Sequence, residues 1–97
     1  MTAVSDLDES HVALARLTDA LFCSELETGD TPTGRQLAAA IRGALRTYRN
    51  WNGCTRAVAA AFAKTPSWAE QRETWCRRLA EDALRASDVQ AEIIQME

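Results

Sequence analysis

Residues that interrupt a regular backbone are scarce in this chain: 97 residues hold two prolines and four glycines. Long stretches pass without either, and no stretch alternates polar and apolar residues as a strand would, so the chain reads as helical. Histidine occurs once, at His11. With no Ser-His-Asp or Cys-His pairing at helical spacing and no glycine-rich phosphate loop, little is present to build an active site, and no enzyme is expected. Glu9-Ser10-His11 has the wrong spacing for a di-iron bundle, and no second copy exists. Cysteine is present three times, an odd count without a Cys-x-x-Cys, which suits a reducing cytoplasm better than a disulfide scaffold. No apolar run approaches the ~20 residues of a membrane span. Met1 to Ser10 carry Asp6, Asp8 and Glu9 and no basic residue, unlike a signal peptide. The expected location is cytoplasmic, with no cofactor.

What is present is enough for a core. Hydrophobic residues make up 46% of the chain, and this length suits one domain over residues 1–97. The pattern predicts an all-α, four-helix, bundle-like domain with a long C-terminal helix. Helix 1 is expected from about Ser5 to Glu27, capped by Ser5 with Asp8, with Leu7, Leu14, Leu17, Leu21 and Phe22 on one arc and His11 at its edge. Gly29 and Asp30 stop it, and Thr31-Pro32 opens helix 2, whose core face is Leu37, Ile41, Ala44, Leu45 and Tyr48. Asn50-Trp51-Asn52-Gly53 forms the next break, rich in residues that tolerate a left-handed backbone.

The chain is expected to organise around Asn52 to Leu79, two helices joined by a tight corner. Cys54, Val58, Ala61 and Phe62 share one face of the first. At the corner, Lys64-Thr65-Pro66-Ser67, Thr65 is placed to cap a helix that starts at Pro66. That last helix, extending to about Gln95, has Trp68, Trp75, Leu79, Ala83, Ala86, Val89 and Ile93 on one face. Arg72 falls inside this face, so it needs a carboxylate or an aromatic ring, and Trp68 and Trp75 are both in reach. The core list is Leu14, Leu17, Leu21, Leu37, Ile41, Leu45, Val58, Phe62, Trp75 and Leu79. Gly53-Cys54, Val58-Ala59, Phe62, Pro66, Arg72, Trp75 and Arg77 together resemble a stretch of small uncharacterised helical proteins of actinobacteria, over Gly53 to Leu79. The resemblance implies a helical unit and brings no activity with it.

Charge is segregated. The net charge of −3 divides into −6 over residues 1–31, +6 over residues 32–64 and −3 over the rest; the middle third contains no acidic residue. Arg35, Arg42, Arg46 and Arg49 project within about 60° of one another at ~100° per residue, a solvent-facing stripe on helix 2. These four are the expected partner-binding residues, for an acidic protein partner, in a non-catalytic interaction or assembly module. The alternative is a helix-turn-helix regulator binding nucleic acid. It is disfavoured because the second helix would bring Trp68, Glu70, Gln71 and Glu73 to phosphate. A Cys₃His zinc site from Cys23, Cys54, Cys76 and His11 fails on distance: His11 and Cys23 are about 18 Å apart on one helix. No metal is expected. Helices 2 and 3 are each too short to cover the last helix; laid end to end they could, and helix 1 could fold back over its end in a monomer, but Val89, Ile93, Ile94 and Met96 there are the expected interface of a homodimer.

Overall fold

A computed structural model describes residues 2–85 of the chain, with side chains from residue 11 onward. Among the described residues there are four helices and no strand: α1 (Thr2–Phe22), α2 (Gly34–Tyr48), α3 (Trp51–Lys64) and α4 (Pro66–Arg85). The architecture is the all-α bundle that the periodicity predicts. Residues Val89, Ile93, Ile94 and Met96, and the expected run of the last helix to Gln95, lie outside the described residues.

The organising element is α1, not the α3–α4 pair. It packs against α4, α3 and α2 in turn, and Leu17, Ala20 and Leu21 along its C-terminal half have no exposed surface. The α3–α4 corner exists, but both of its helices are secured by leaning on α1. Of the expected core, Leu17, Leu21, Leu37, Ile41 and Val58 are buried, while Leu14, Leu45, Phe62, Trp75 and Leu79 are half-buried against them. Tyr48 departs from expectation: it stands at the last residue of α2, 38% exposed.

The contact face of α4 is also rotated from the one expected. Ala69, Arg72, Cys76, Ala80 and Ala83 form the buried stripe, with Trp75 and Leu79 half-buried beside it and Trp68 50% exposed. Small side chains on the line of contact let two helix axes approach, and larger ones close the flanks. The periodicity of bulky residues therefore marks the edges of this interface, and alanine marks its centre.

Local chemistry sets the boundaries. α1 begins at Thr2, so Ser5 lies inside the helix and is not its cap. It ends at Phe22, five residues before Glu27, because the next carbonyls are turned inward to other donors. Ser24 Oγ donates back to the Leu21 carbonyl at 2.6 Å. A turn then closes from Asp30 N–H to the Glu27 carbonyl at 3.0 Å, with Gly29 at φ +99°, a backbone that favours glycine. α2 opens on Thr33 with a reciprocal cap: Gln36 N–H donates to Thr33 Oγ1, and Thr33 N–H donates to Gln36 Oε1. α3 starts at Trp51, two residues before Gly53, because Asn50 Oδ1 accepts the Gly53 N–H at 2.8 Å. The positive φ of this break falls on Arg49, at 79°, and not on Asn50, Asn52 or Gly53. Gly53 is required for another reason: a Cβ there would collide with the Tyr48 carbonyl oxygen. At the corner only Thr65 lies between α3 and α4. Its N–H and its hydroxyl both donate backwards to the Ala61 carbonyl, so its side chain closes α3 and does not cap α4.

Candidate functional site

The four arginines expected to meet a partner are all exposed. α2 is strongly two-faced, with Leu37, Ala38, Ile41 and Ala44 buried on the opposite side. Arg42, Arg46 and Arg49 surround a shallow cleft of about 460 Å³ floored by half-buried Leu45. Arg35, in the first turn, is not part of that cleft; it extends the same side towards the helix start. From Arg35 to Arg49 the stripe spans about 21 Å at 1.5 Å per residue. Arg49 pays for its place in the cleft with a positive-φ backbone, which an L side chain occupies at a cost of order 1–3 kcal/mol.

A fifth arginine, Arg72, is used in the opposite way. Arg72 is 5% exposed, and it sits where α4 passes the end of α1. Its Nε donates to the Phe22 carbonyl at 2.7 Å. Nη2 faces the carbonyls of Leu21, Ser24 and Leu26 at 3.4, 3.0 and 2.8 Å, and Nη1 donates to Thr28 Oγ1 at 3.0 Å. The guanidinium therefore takes up the unpaired carbonyls at the C-terminus of α1, where the helix dipole favours a cation. Phe22, Trp68 and Trp75 hold it on three sides, with ring centroids 5.6–5.7 Å from Cζ. Phe22 is itself stacked with Phe62 and edge-on to Trp68, and Trp75 Nε1 donates to the Asp30 carbonyl at 3.2 Å. Aromatic partners were expected for Arg72. The ring of main-chain carbonyls was not, since nothing in the residue types announces where a neighbouring helix will end.

The cysteines are arranged as thiols. Cys54 and Cys76 are buried and Cys23 is half-buried. Cys23 Sγ donates to the Cys54 carbonyl at 3.4 Å, and Cys54 Sγ to the Ala44 carbonyl at 3.9 Å. Burial, followed by the neighbouring Cys54, pushes the Cys23 thiol up to about 12. Burial likewise pushes Cys76 up to about 12, against the opposing effect of Arg72, and raises Cys54. Groups held protonated in this way are poor nucleophiles and poor metal ligands. His11 is exposed on α1. Among the described residues, no three His, Cys, Asp or Glu side chains gather where one ion would reach them.

One feature of the surface has no counterpart in the sequence reading. Between the end of α1 and the α3–α4 pair lies a cleft of about 570 Å³, with Phe22, Leu26, Ala61, Trp68 and Arg72 among its walls. Trp68 and Tyr48, two of the three large apolar side chains exposed among the described residues, both line it. Trp68 was the only signal available for it, and helical periodicity placed that residue on the apolar face of the last helix without adding it to the core.

No protein family, curated protein or solved structure matches this chain. Two sites stand out on the surface, one an exposed arginine face and the other an aromatic cleft over a buried guanidinium.

Proposed function

We propose that the chain is a non-catalytic helical interaction module that receives an acidic protein partner on α2. The observation that carries this reading is the cleft of Arg42, Arg46 and Arg49 around Leu45, on a helix whose own third of the sequence contains no acidic residue. Guanidinium groups grip carboxylates through two parallel hydrogen bonds, and Leu45 adds an apolar anchor among them. A partner helix bearing carboxylates three or four residues apart, with one apolar side chain between them, has the matching chemistry. Arg35 would lengthen the contact by about two turns or more. The strained backbone at Arg49 supports a binding role, because glycine would fit that conformation without the cost.

The nucleic-acid alternative has less support. A helix-turn-helix joins its helices by about three to four residues, whereas here Thr65 alone separates α3 from α4. The exposed residues on the first turns of α4 include Trp68, Glu70 and Gln71, a poor match to phosphate. The resemblance of residues 53–79 to small actinobacterial proteins adds no activity to either reading. Three free thiols fit a reducing cytoplasm.

The test is capture from the native cell on immobilised protein, comparing the wild type with Arg42→Glu/Arg46→Glu. Recovery of a protein bearing an acidic segment, lost with the charge-reversed variant, is the expected result. A mobility shift of duplex DNA at submicromolar protein that the same variant abolishes would replace the acidic partner with phosphate.

A further inference from the structure

We infer that the cleft between the end of α1 and the α3–α4 pair is a binding site for a small aryl monocarboxylate, separate from the α2 face. Three observations meet there. The cleft, at about 570 Å³, falls within the ~300–1,000 Å³ range of small-molecule pockets. Its walls are apolar and partly aromatic, from Phe22, Leu26, Ala61 and the half-exposed Trp68, so a flat ring has surfaces to lie on. Its one cationic lining group is Arg72, a guanidinium more than nine-tenths buried.

The charge of Arg72 is solvated by dipoles and aromatic faces but is not neutralised: among the described residues no carboxylate lies against it. Counting donors locates the opening. Nε has one hydrogen and one carbonyl, and Nη2 has two hydrogens shared among three carbonyls. Nη1 has two hydrogens and, among the described residues, one acceptor, the Thr28 hydroxyl, on a residue that is exposed and lines the same cleft. A hydroxyl is the weakest and most easily displaced acceptor in this set. A carboxylate at Nη1 gains a charge-assisted bond in place of a neutral one. Glu27, also at the cleft, sets a limit on charge: it repels a second carboxylate on the ligand, so the preferred anion is a monoanion with its ring towards Trp68.

The full chain is titrated with phenylacetate, and with 2-phenylethanol as its uncharged counterpart. The readouts are tryptophan fluorescence and the Nε–H resonance of Arg72. Phenylacetate is expected to saturate below about 10 mM and to bind roughly tenfold more tightly than the alcohol, shifting the Arg72 resonance. Ala61→Leu, which fills the cleft without touching the guanidinium, should weaken binding about tenfold. If that variant does not fold, Ala57→Leu, at a half-buried residue that also lines the cleft, makes the same test. Equal affinity for the alcohol, the absence of saturation, binding unchanged in the cleft variant, or shifts confined to Arg42, Arg46 and Arg49 would each overturn the assignment.

Discussion

Arg72 shows how one side chain can close two problems at once. A helix that stops inside a structure leaves its last carbonyls without partners, and a buried cation needs acceptors. Here each supplies the other, with three aromatic rings excluding water around the pair. Removing the guanidinium would strand several carbonyls, each worth about 1–3 kcal/mol when left unsatisfied. Arg72→Ala is therefore expected to lose about 4 kcal/mol in urea melts, a large share of the ~5–15 kcal/mol that holds a domain together. Arg72→Lys keeps the charge but has no planar fork, and should recover only part of that loss. Trp75→Ala belongs to the same box. Because Trp75 is half-buried, its expected cost is about 2 kcal/mol, below the ~3–5 kcal/mol of a fully buried tryptophan.

The thiols give a prediction in pH. Cys23 and Cys76 keep their protons to about 12 in the folded chain, against an ordinary 9.0. Unfolded thiols ionise first, so above pH 9 the unfolded state binds fewer protons than the folded one. Stability then falls as pH rises from 9 towards 12, and below 9 the contribution is fully present. Cys76→Ala should flatten this decline, read as a smaller drop in the urea midpoint between about pH 8 and about pH 10 than the wild type shows. An equal drop in both proteins would mean that Cys76 ionises as readily folded as unfolded.

At the scale of the elements, periodicity identified four helices because each has an apolar face, and a face is a property of local sequence. Leu17, Leu21, Leu37, Ile41 and Val58 were legible as core for that reason. The end of α1 was not, since it depends on Arg72, 50 residues away from Phe22 in the chain. The burial of Ala69 and Ala80 was equally hidden, although Ala83 was placed on the apolar face: alanine is a good helix former anywhere, and only the approach of α1 turns it into an interface residue. The arginine face was read correctly as exposed from its 3.6-residue spacing, whereas the aromatic cleft required three elements to meet. The α2–α3 junction supplies the prediction here. Arg49 holds a positive φ that glycine adopts freely, so Arg49→Gly should change stability by about +1 kcal/mol in the folded protein's favour. If Arg49 is retained for partner contact, the same variant should bind the acidic partner less tightly. A denaturant midpoint that falls in Arg49→Gly would show that the side chain, and not the backbone, governs this position.

For the whole molecule, the arrangement of helices bears on both partner and self-association. Along the described residues α1, of 21 residues, packs against α4, of 20. The expected dimer interface, Val89, Ile93, Ile94 and Met96, lies outside the described residues, and Ile93→Glu with light scattering is its direct test. Charge makes the firmer prediction. The basic third of the chain is presented on α2 and α3, while the protein as a whole carries −3. A net negative molecule with one positive face repels polyanions at long range and attracts a compact acidic surface only at close approach. Association with an acidic partner should therefore slow with added salt through the on-rate, while Arg42→Glu/Arg46→Glu should reverse the sign of that salt dependence. Duplex DNA, a far denser anion, should show no tight binding at physiological salt, because too few phosphates are neutralised to offset the repulsion. Stopped-flow rates measured across a salt series for wild type and variant would decide the point: a rate indifferent to salt in both would remove the arginine face from the encounter.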